Sequence, residues 1–461
     1  MSITTMHDGR VVLHQADCLE AMAAMEENSV DSVICDPPYH LTSIVKRFGG
    51  DMPPRTEATV GKHAFGRHAT GFMGKVWDGG DIAFQPETWA AVLRVLKPGG
   101  YIVAFASTRG FGRMSVAMED AGFITHPMLA WIFGSGFPKA TRIAAEGYDG
   151  FRYGGQALKP ALEPIYMGQK PFSEKTGTAN ILKWGTGAIN VDGCRVEYDM
   201  SDTNPATNPL HRKLAGYANG NAADTGSSSF SLKDGSGERN PNELGRWPAN
   251  VITDGSDEVL AAFPDAPGQQ RAVGPEHGEK ESRGIYGDFG AREHFAPRIE
   301  IDKSAARFFY AAKASRADRD VGLSHLPKTE AAAMAGNLVS GQPLAGDGTP
   351  IATPVRANTH PTVKPTSLMQ WLCRLVTPPG GVILDPFMGS GSTGKAAVLE
   401  GFQFVGCERE DEYMPIATAR IAWAIGATDK EERPAVAPQQ PAANDNSAQP
   451  VDLFSTLAGA A

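Results

Sequence analysis

An α/β fold built on a mostly parallel sheet is what this chain predicts, and three observations predict it. Short apolar runs alternate with helical stretches over about residues 9–150. The same alternation returns near the other end and runs to about residue 426. In both regions a strand-sized run ends in an acidic residue followed by a break, Pro-Pro in one and a glycine turn in the other. Strands that alternate with helices form βαβ units, and their crossovers place neighbouring strands parallel.

The elements follow in order. VVLHQAD (Val11 to Asp17) reads as a strand and CLEAMAAM after it as a helix. DSVICDPPY (Asp31 to Tyr39) is an apolar run that stops at two prolines. WAAVLRVLKPGG (Trp89 to Gly100) reads as an amphipathic helix with a glycine stop, and YIVAFAS (Tyr101 to Ser107) as the next strand. LKPALEPIYMGQKP (Leu158 to Pro171) looks like a returning strand. The middle of the chain is rich in Gly, Asn, Ser, Asp and Pro, with one patch that looks ordered, GRWPANVITD (Gly245 to Asp254). PTSLMQWLCRLVTPPGG (Pro365 to Gly381) is a helix with a loop stop; then come a strand to Asp385, a glycine loop, a helix, the strand FQFVGCERE (Phe402 to Glu410) and a closing helix. These shifts divide the chain into a first α/β half (1–171), an insertion (172–300), a second α/β half (301–426) and a disordered tail (427–461).

The 461 residues exceed one ordinary domain core, and 41% hydrophobic with 21% charged residues fits a soluble globular protein. No apolar run is long enough for a membrane span, and the N-terminus lacks a secretory h-region. The five cysteines are scattered, with no CxxC pair, so neither a disulfide framework nor a zinc site is indicated and no metal is expected. A reducing cytoplasm follows. The net charge of -9 does not by itself suggest a nucleic-acid partner, for which a local basic cluster has to decide.

Two motifs carry chemistry. VILDPFMGSGSTGKAA places Asp385 at a strand end, then Gly389 and Gly391 where backbone must approach closely at a strand-to-helix turn. A phosphate-binding P-loop fits Gly389, Gly394 and Lys395 but fails at Ala396, where Ser or Thr must hold magnesium. The Asp at the strand end suits a cationic ligand better than a pyrophosphate. Glu408 ends the next strand, where a carboxylate accepts hydrogen bonds from ribose hydroxyls. In the second motif, Asp36-Pro37-Pro38-Tyr39, two prolines stiffen the loop and remove N–H donors. Asp36 and the backbone carbonyls offer acceptors, and Tyr39 offers a flat face. Two acceptors on the two N–H bonds of an aromatic amine turn its lone pair toward an electrophile. A strand ending in a rigid turn with a capping Asp is the plainer alternative.

Asp36–Tyr39 together with DPFMGSGSTG resembles the DNA N6-adenine/N4-cytosine methyltransferase family, in the order of its beta-type subgroup, and HPTVKP (His360 to Pro365) matches the run before the cofactor strand. The resemblance implies a Rossmann-like class I methyltransferase fold: seven strands, mostly parallel, one antiparallel, with a circularly permuted motif order and an inserted target-recognition region. It implies S-adenosylmethionine as cofactor and double-stranded DNA as partner. Methyl transfer goes to adenine N6, with cytosine N4 as the alternative. An RNA or protein-amide methyltransferase and an inactive DNA-binding relic are further readings. A homodimer is left open, and no restriction-nuclease signature is visible.

Carried over by residue, Asp36, Pro37, Pro38 and Tyr39 form the catalytic loop, with Asp36 and Pro37 also facing the cofactor. Asp385, Pro386, Phe387, Gly389, Ser390 and Gly391 form the cofactor loop, and Glu408 binds its ribose. Asp17 approaches the adenine amine or caps the helix after it. Lys364 and Thr366 line the methionine end, although Lys364 also fits an ordinary surface position. Phe137, in WIFGSGFPKA (Trp131 to Ala140), contacts the flipped base or belongs to the core. Lys183, Arg195, Lys213, Arg246 and Trp247 are candidate DNA contacts, with a solvated surface group the default for each charged one and a small local core the default for Trp247.

Overall fold

The computed structural model describes residues 2–39, 81–136, 138–143, 145–197, 245–265, 282–284, 287–289, 304–312, 316–330, 338–339, 342–343 and 355–430. Phe137, Lys213 and residues 431–461 lie outside them, whereas residues 427–430, expected to begin the tail, still belong to the Met414–Lys430 helix.

One eleven-stranded sheet organises the chain. Its middle runs Val11–Gln15, Gln403–Glu408, Val382–Asp385, Val30–Cys35, Leu96–Phe105, Leu162–Gln169 and Leu129–Ile132. The first five pair parallel, and Leu162–Gln169 is antiparallel to both of its neighbours. The two C-terminal strands thus sit between strands from the first 35 residues, so neither end of the chain completes the sheet alone. Further strands extend it beyond the expected seven. Ser2–Met6 adds an antiparallel hairpin at one edge, and Val251–Thr253 and Tyr310–Ala311 add parallel strands at the other.

Period-2 alternation sends side chains to two cores. Tyr101, Val103 and Phe105 pack on one face with Leu368, Trp371 and Leu372 of the Thr366–Val376 helix and with Ala396 and Ile421. Ile102, Ala104 and Ala106 pack on the other with Met22, Trp89 and Val92. Helices on both faces explain why the central strands read as continuous apolar runs.

The local expectations hold with two differences. The helix expected to reach Gly100 spans Pro86–Val95, and Leu96–Phe105 is already strand. Pro98 cannot donate within a helix, and Leu96 pairs with Val30 instead. Within the 172–300 segment the Gly177–Trp184 helix and the stretch around Cys194 pack against the body of the fold. The Gly177–Trp184 helix is tied to it by buried Asn180, whose Nδ2 donates to the Pro98 carbonyl at 2.8 Å. Cys194 packs under Trp371, whose Nε1 donates to the Cys194 carbonyl at 3.2 Å. No helix among the described residues is long and apolar enough to cross a membrane.

Candidate active site

Parallel strands that end together bring their following residues together, and at this edge of the sheet four of those residues are acidic. Asp17 follows Val11–Gln15, Asp36 follows Val30–Cys35, Asp385 ends its own strand, and Glu408 ends the neighbouring one. All four line one cavity of about 570 Å³, as do Pro37, Pro38, Tyr39, Lys364, Pro386, Phe387, Gly389 and Ser390. That volume suits a ligand of nucleoside size.

The glycine loop is held rigid from behind. Asp385 Oδ1 accepts from Phe387 N–H at 3.0 Å, and Glu408 accepts from Gly389 N–H and Glu410 N–H, both at 2.7 Å. Arg420, fully buried, donates from Nη1 to the Ser390 carbonyl at 2.7 Å and to Ser392 Oγ at 3.1 Å. Both glycines have positive φ, 53° at Gly389 and 73° at Gly391. A Cβ on Gly389 would stand 2.7 Å from His360 Nε2, and one on Gly391 would stand 3.0 Å from Ala417 Cα. Their lack of a side chain therefore serves packing within the protein. Gly391 lies behind the loop, outside the cavity lining.

His360 donates from Nδ1 to the Thr362 carbonyl at 2.8 Å, and burial pushes its pKa down to about 4. The ring is neutral, and its Nε2 faces Gly389 as an acceptor. Burial pushes Asp385 up to about 7, and the negative charges of Asp36 and Glu408 add to it. Burial likewise pushes Glu408 up to about 7. The cavity thus holds two carboxyls short of positive charge, which fits a ligand bearing sulfonium and ammonium groups.

The catalytic loop is differently balanced. Lys364 Nζ donates to Asp36 Oδ2 at 2.6 Å and sits 4.7 Å from the Phe105 ring centroid. Burial opposes its charge, but Asp36 and Glu163 outweigh burial and hold its pKa above the ordinary lysine value. It is an interior cation and not a surface lysine. Tyr39 Oη donates to Asp36 Oδ1 at 2.7 Å and lies 2.9 Å from Glu163 Oε1.

Not every expected residue comes to the site. Asp17 caps its helix by accepting from Leu19 N–H at 2.9 Å while also lining the cavity, so both of its expected roles are open to it. Thr366 does not line the cavity. Its N–H and Oγ1 donate to Asp318 at 2.8 and 2.7 Å, because it begins a helix and its first-turn donors need a partner. Lys395 is also turned away, paired with Asp318 beside Trp423, which removes the P-loop alternative. Lys183 pairs with Glu174 at 2.5 Å on a helix anchored to Pro98. Pro98 and the cavity lie at opposite ends of one strand, roughly 20 Å apart at the usual strand rise. Arg195, Arg246 and Trp247 do come together. Arg195 lies 5.1 Å over the Trp247 ring, and Arg246 lies 5.8 Å over Phe308 beside Arg307. None of the three lines the cavity.

Glu163, Arg420 and Asp318 were missed. Glu163 is the one acid in the apolar run ALEPIYM, and Arg420 the one charge in TARIAWAI. A lone charge in an apolar element was the available signal. Among the described residues no group of His, Cys, Asp and Glu is placed to hold a metal ion.

Residues 30–419 match the family model described as DNA methylase. The chain belongs to this DNA methylase family. It is 45% identical over 65 residues to type II methyltransferase M2.DpnII of Streptococcus pneumoniae, 14% of this chain and 24% of that protein. It is 39% identical over 62 residues to DNA adenine methyltransferase YhdJ of Escherichia coli strain K12, 13% of this chain and 21% of that protein. The matched stretches thus span about a quarter or less of those relatives' lengths. Among solved structures, the M1.HpyAVI–SAM complex is similar at 13% identity with a TM-score of 0.33, covering 89% of this chain and 98% of that one.

Proposed function

We propose that this chain is an S-adenosylmethionine-dependent DNA methyltransferase acting on an exocyclic base amine, adenine N6 in the first place and cytosine N4 as the alternative. One observation carries the reading. The Asp36 loop and the Asp385–Glu408 pair open on the same cavity although they come from opposite ends of the chain. The adenine choice is favoured by YhdJ, whose name makes it an adenine methyltransferase.

S-adenosylmethionine, when bound, would supply an electrophilic sulfonium methyl; the amine nitrogen would form the new bond as the carbon–sulfur pair stays on sulfur, and the proton it loses would pass to solvent water. Glu408 would accept from the ribose, Asp385 would face the cationic end, and Phe387 would supply apolar wall. Asp36 and the Pro37 carbonyl would each accept one N–H of the amine and so aim its lone pair. Tyr39 would offer its ring to the base, which must leave the duplex to reach the cavity. Arg195, Arg246 and Trp247 form the basic aromatic cluster we assign to double-stranded DNA, and Lys183 and Thr366 are left out of any binding role.

Asp36→Ala should abolish incorporation of tritiated methyl into duplex DNA while calorimetry still detects cofactor binding. Wild-type transfer by that variant would refute the assignment, and sequencing the methylated product would name the base.

A further inference from the structure

Asp36 has to accept the target amine, yet each of its oxygens already accepts one hydrogen bond, which occupies one of its two lone-pair sites. Oδ1 accepts from Tyr39 Oη at 2.7 Å and Oδ2 from Lys364 Nζ at 2.6 Å. A second carboxylate faces the same two donors. Glu163 Oε1 lies 2.9 Å from Tyr39 Oη and 3.5 Å from Lys364 Nζ. It sits on the antiparallel Leu162–Gln169 strand, paired with Trp131, and lines the cavity beside Leu162. Tyr39 carries one hydroxyl proton, so the two carboxylates compete for it. Changing partner needs only rotation about the tyrosine C–O bond.

We propose that Glu163 is a positioning residue for methyl transfer, the alternative acceptor that draws the Tyr39 hydroxyl off Asp36 when the target amine arrives. The inference rests on the function proposed above. With the hydroxyl turned to Glu163, both lone-pair sites of Asp36 Oδ1 are open to the amine N–H. The tyrosine oxygen does not move, so the ring keeps its orientation for stacking. Lys364 stays between two carboxylates throughout. No covalent bond changes in this exchange; one hydrogen bond replaces another. An apolar residue at position 163 would leave the hydroxyl on Asp36, in competition with the substrate.

A double-mutant cycle on the full chain tests this. Glu163→Leu and Glu163→Gln are each made alone and together with Tyr39→Phe. The readouts are the single-turnover rate of methyl transfer to duplex DNA and the S-adenosylmethionine Kd. Glu163→Leu should slow transfer about tenfold or more with Kd within about twofold, and the same change in the Tyr39→Phe background should cost less than about threefold. Glu163→Gln keeps an acceptor and should slow transfer less than Glu163→Leu. Should Glu163→Leu not fold, the Gln variant must still lose more with Tyr39 present than in the Tyr39→Phe background. Equal losses in both backgrounds mean that Glu163 merely offsets Lys364, and they overturn the inference, as does a wild-type rate in Glu163→Leu. Those outcomes leave the function standing, because the wild-type protein still methylates DNA. A wild-type protein that transfers no methyl to DNA overturns both.

Discussion

Replacing Asp385 by asparagine should make the ligand-free protein more stable than wild type at pH 8, less so at pH 5, and about equal to it only below about pH 4. Burial, together with the charges of Asp36 and Glu408, raises this carboxyl from 3.8 to about 7, against the stabilising hydrogen bonds from Thr393 and the Phe387 N–H. The folded-state pKa lies above the unfolded one. Between pH 4 and pH 7 the native protein therefore keeps a proton that the unfolded chain has released, and stability falls as pH rises through that window. A separation of about three pH units amounts to roughly 4 kcal/mol, fully lost by pH 8. Asparagine carries no charge and can still accept the Phe387 N–H, so the loss is absent in the variant. Urea unfolding of both proteins at pH 5, 6, 7 and 8 gives the difference directly. Glu408, also pushed up to about 7 by burial, contributes its own slope to both proteins and largely cancels in the comparison. A difference between the two proteins that does not change with pH would refute the reasoning.

Three other outcomes follow from the geometry. Gly389→Ala puts a Cβ 2.7 Å from His360 Nε2 at a φ of 53°, so cofactor affinity by calorimetry should fall. The loss should be about tenfold or more, with circular dichroism unchanged, and an unaltered Kd contradicts the loop geometry. Thr366→Val removes the hydroxyl's 2.7 Å bond to Asp318. It should cost about 1 kcal/mol in urea unfolding with cofactor affinity intact, whereas a large loss of affinity would return Thr366 to the cofactor site. Lys183→Ala should leave duplex affinity and its salt dependence unchanged by fluorescence anisotropy, and a shallower salt slope would mean that it does touch phosphate.

The sheet edge was legible because each functional acid follows a strand and precedes a break. Asp36 before two prolines and Asp385 before a glycine loop announce themselves by backbone chemistry alone. Val251–Thr253 was not legible as part of the sheet. A strand of three residues has no periodicity to read, and its partners are Leu129–Ile132 and Tyr310–Ala311, remote in sequence. Thr366 was misplaced for a related reason. Proximity to Lys364 in sequence suggested a shared site, but the helix starting at Thr366 turns its first donors toward Asp318. Glu163 reaches the site across 124 positions of chain, a relation no local pattern encodes.

The two ends of the cavity differ in charge compensation, and that difference sorts the two reactants. Among the described residues, Asp385 and Glu408 accept hydrogen bonds but pair with no cation. Burial holds both pKa values up to about 7, and a nearby cation lowers them, so that end favours a positively charged ligand. Asp36 has Lys364 at 2.6 Å, and its charge is already balanced. A balanced carboxylate still accepts a hydrogen bond but gains little from a second cation, so that end favours a neutral donor such as a base amine. Exchanging the compensation, by removing Lys364, would leave Asp36, Asp385, Glu163 and Glu408 around one cavity with no partner for Asp36 but Tyr39. Lys364→Met should therefore raise the pH at which Glu163 ionises and weaken discrimination between the two ends. Methyl transfer should be lost more completely than cofactor binding, measured as separate single-turnover and calorimetric titrations. Equal losses of both would show that Lys364 serves the cofactor end and that charge compensation does not sort the reactants.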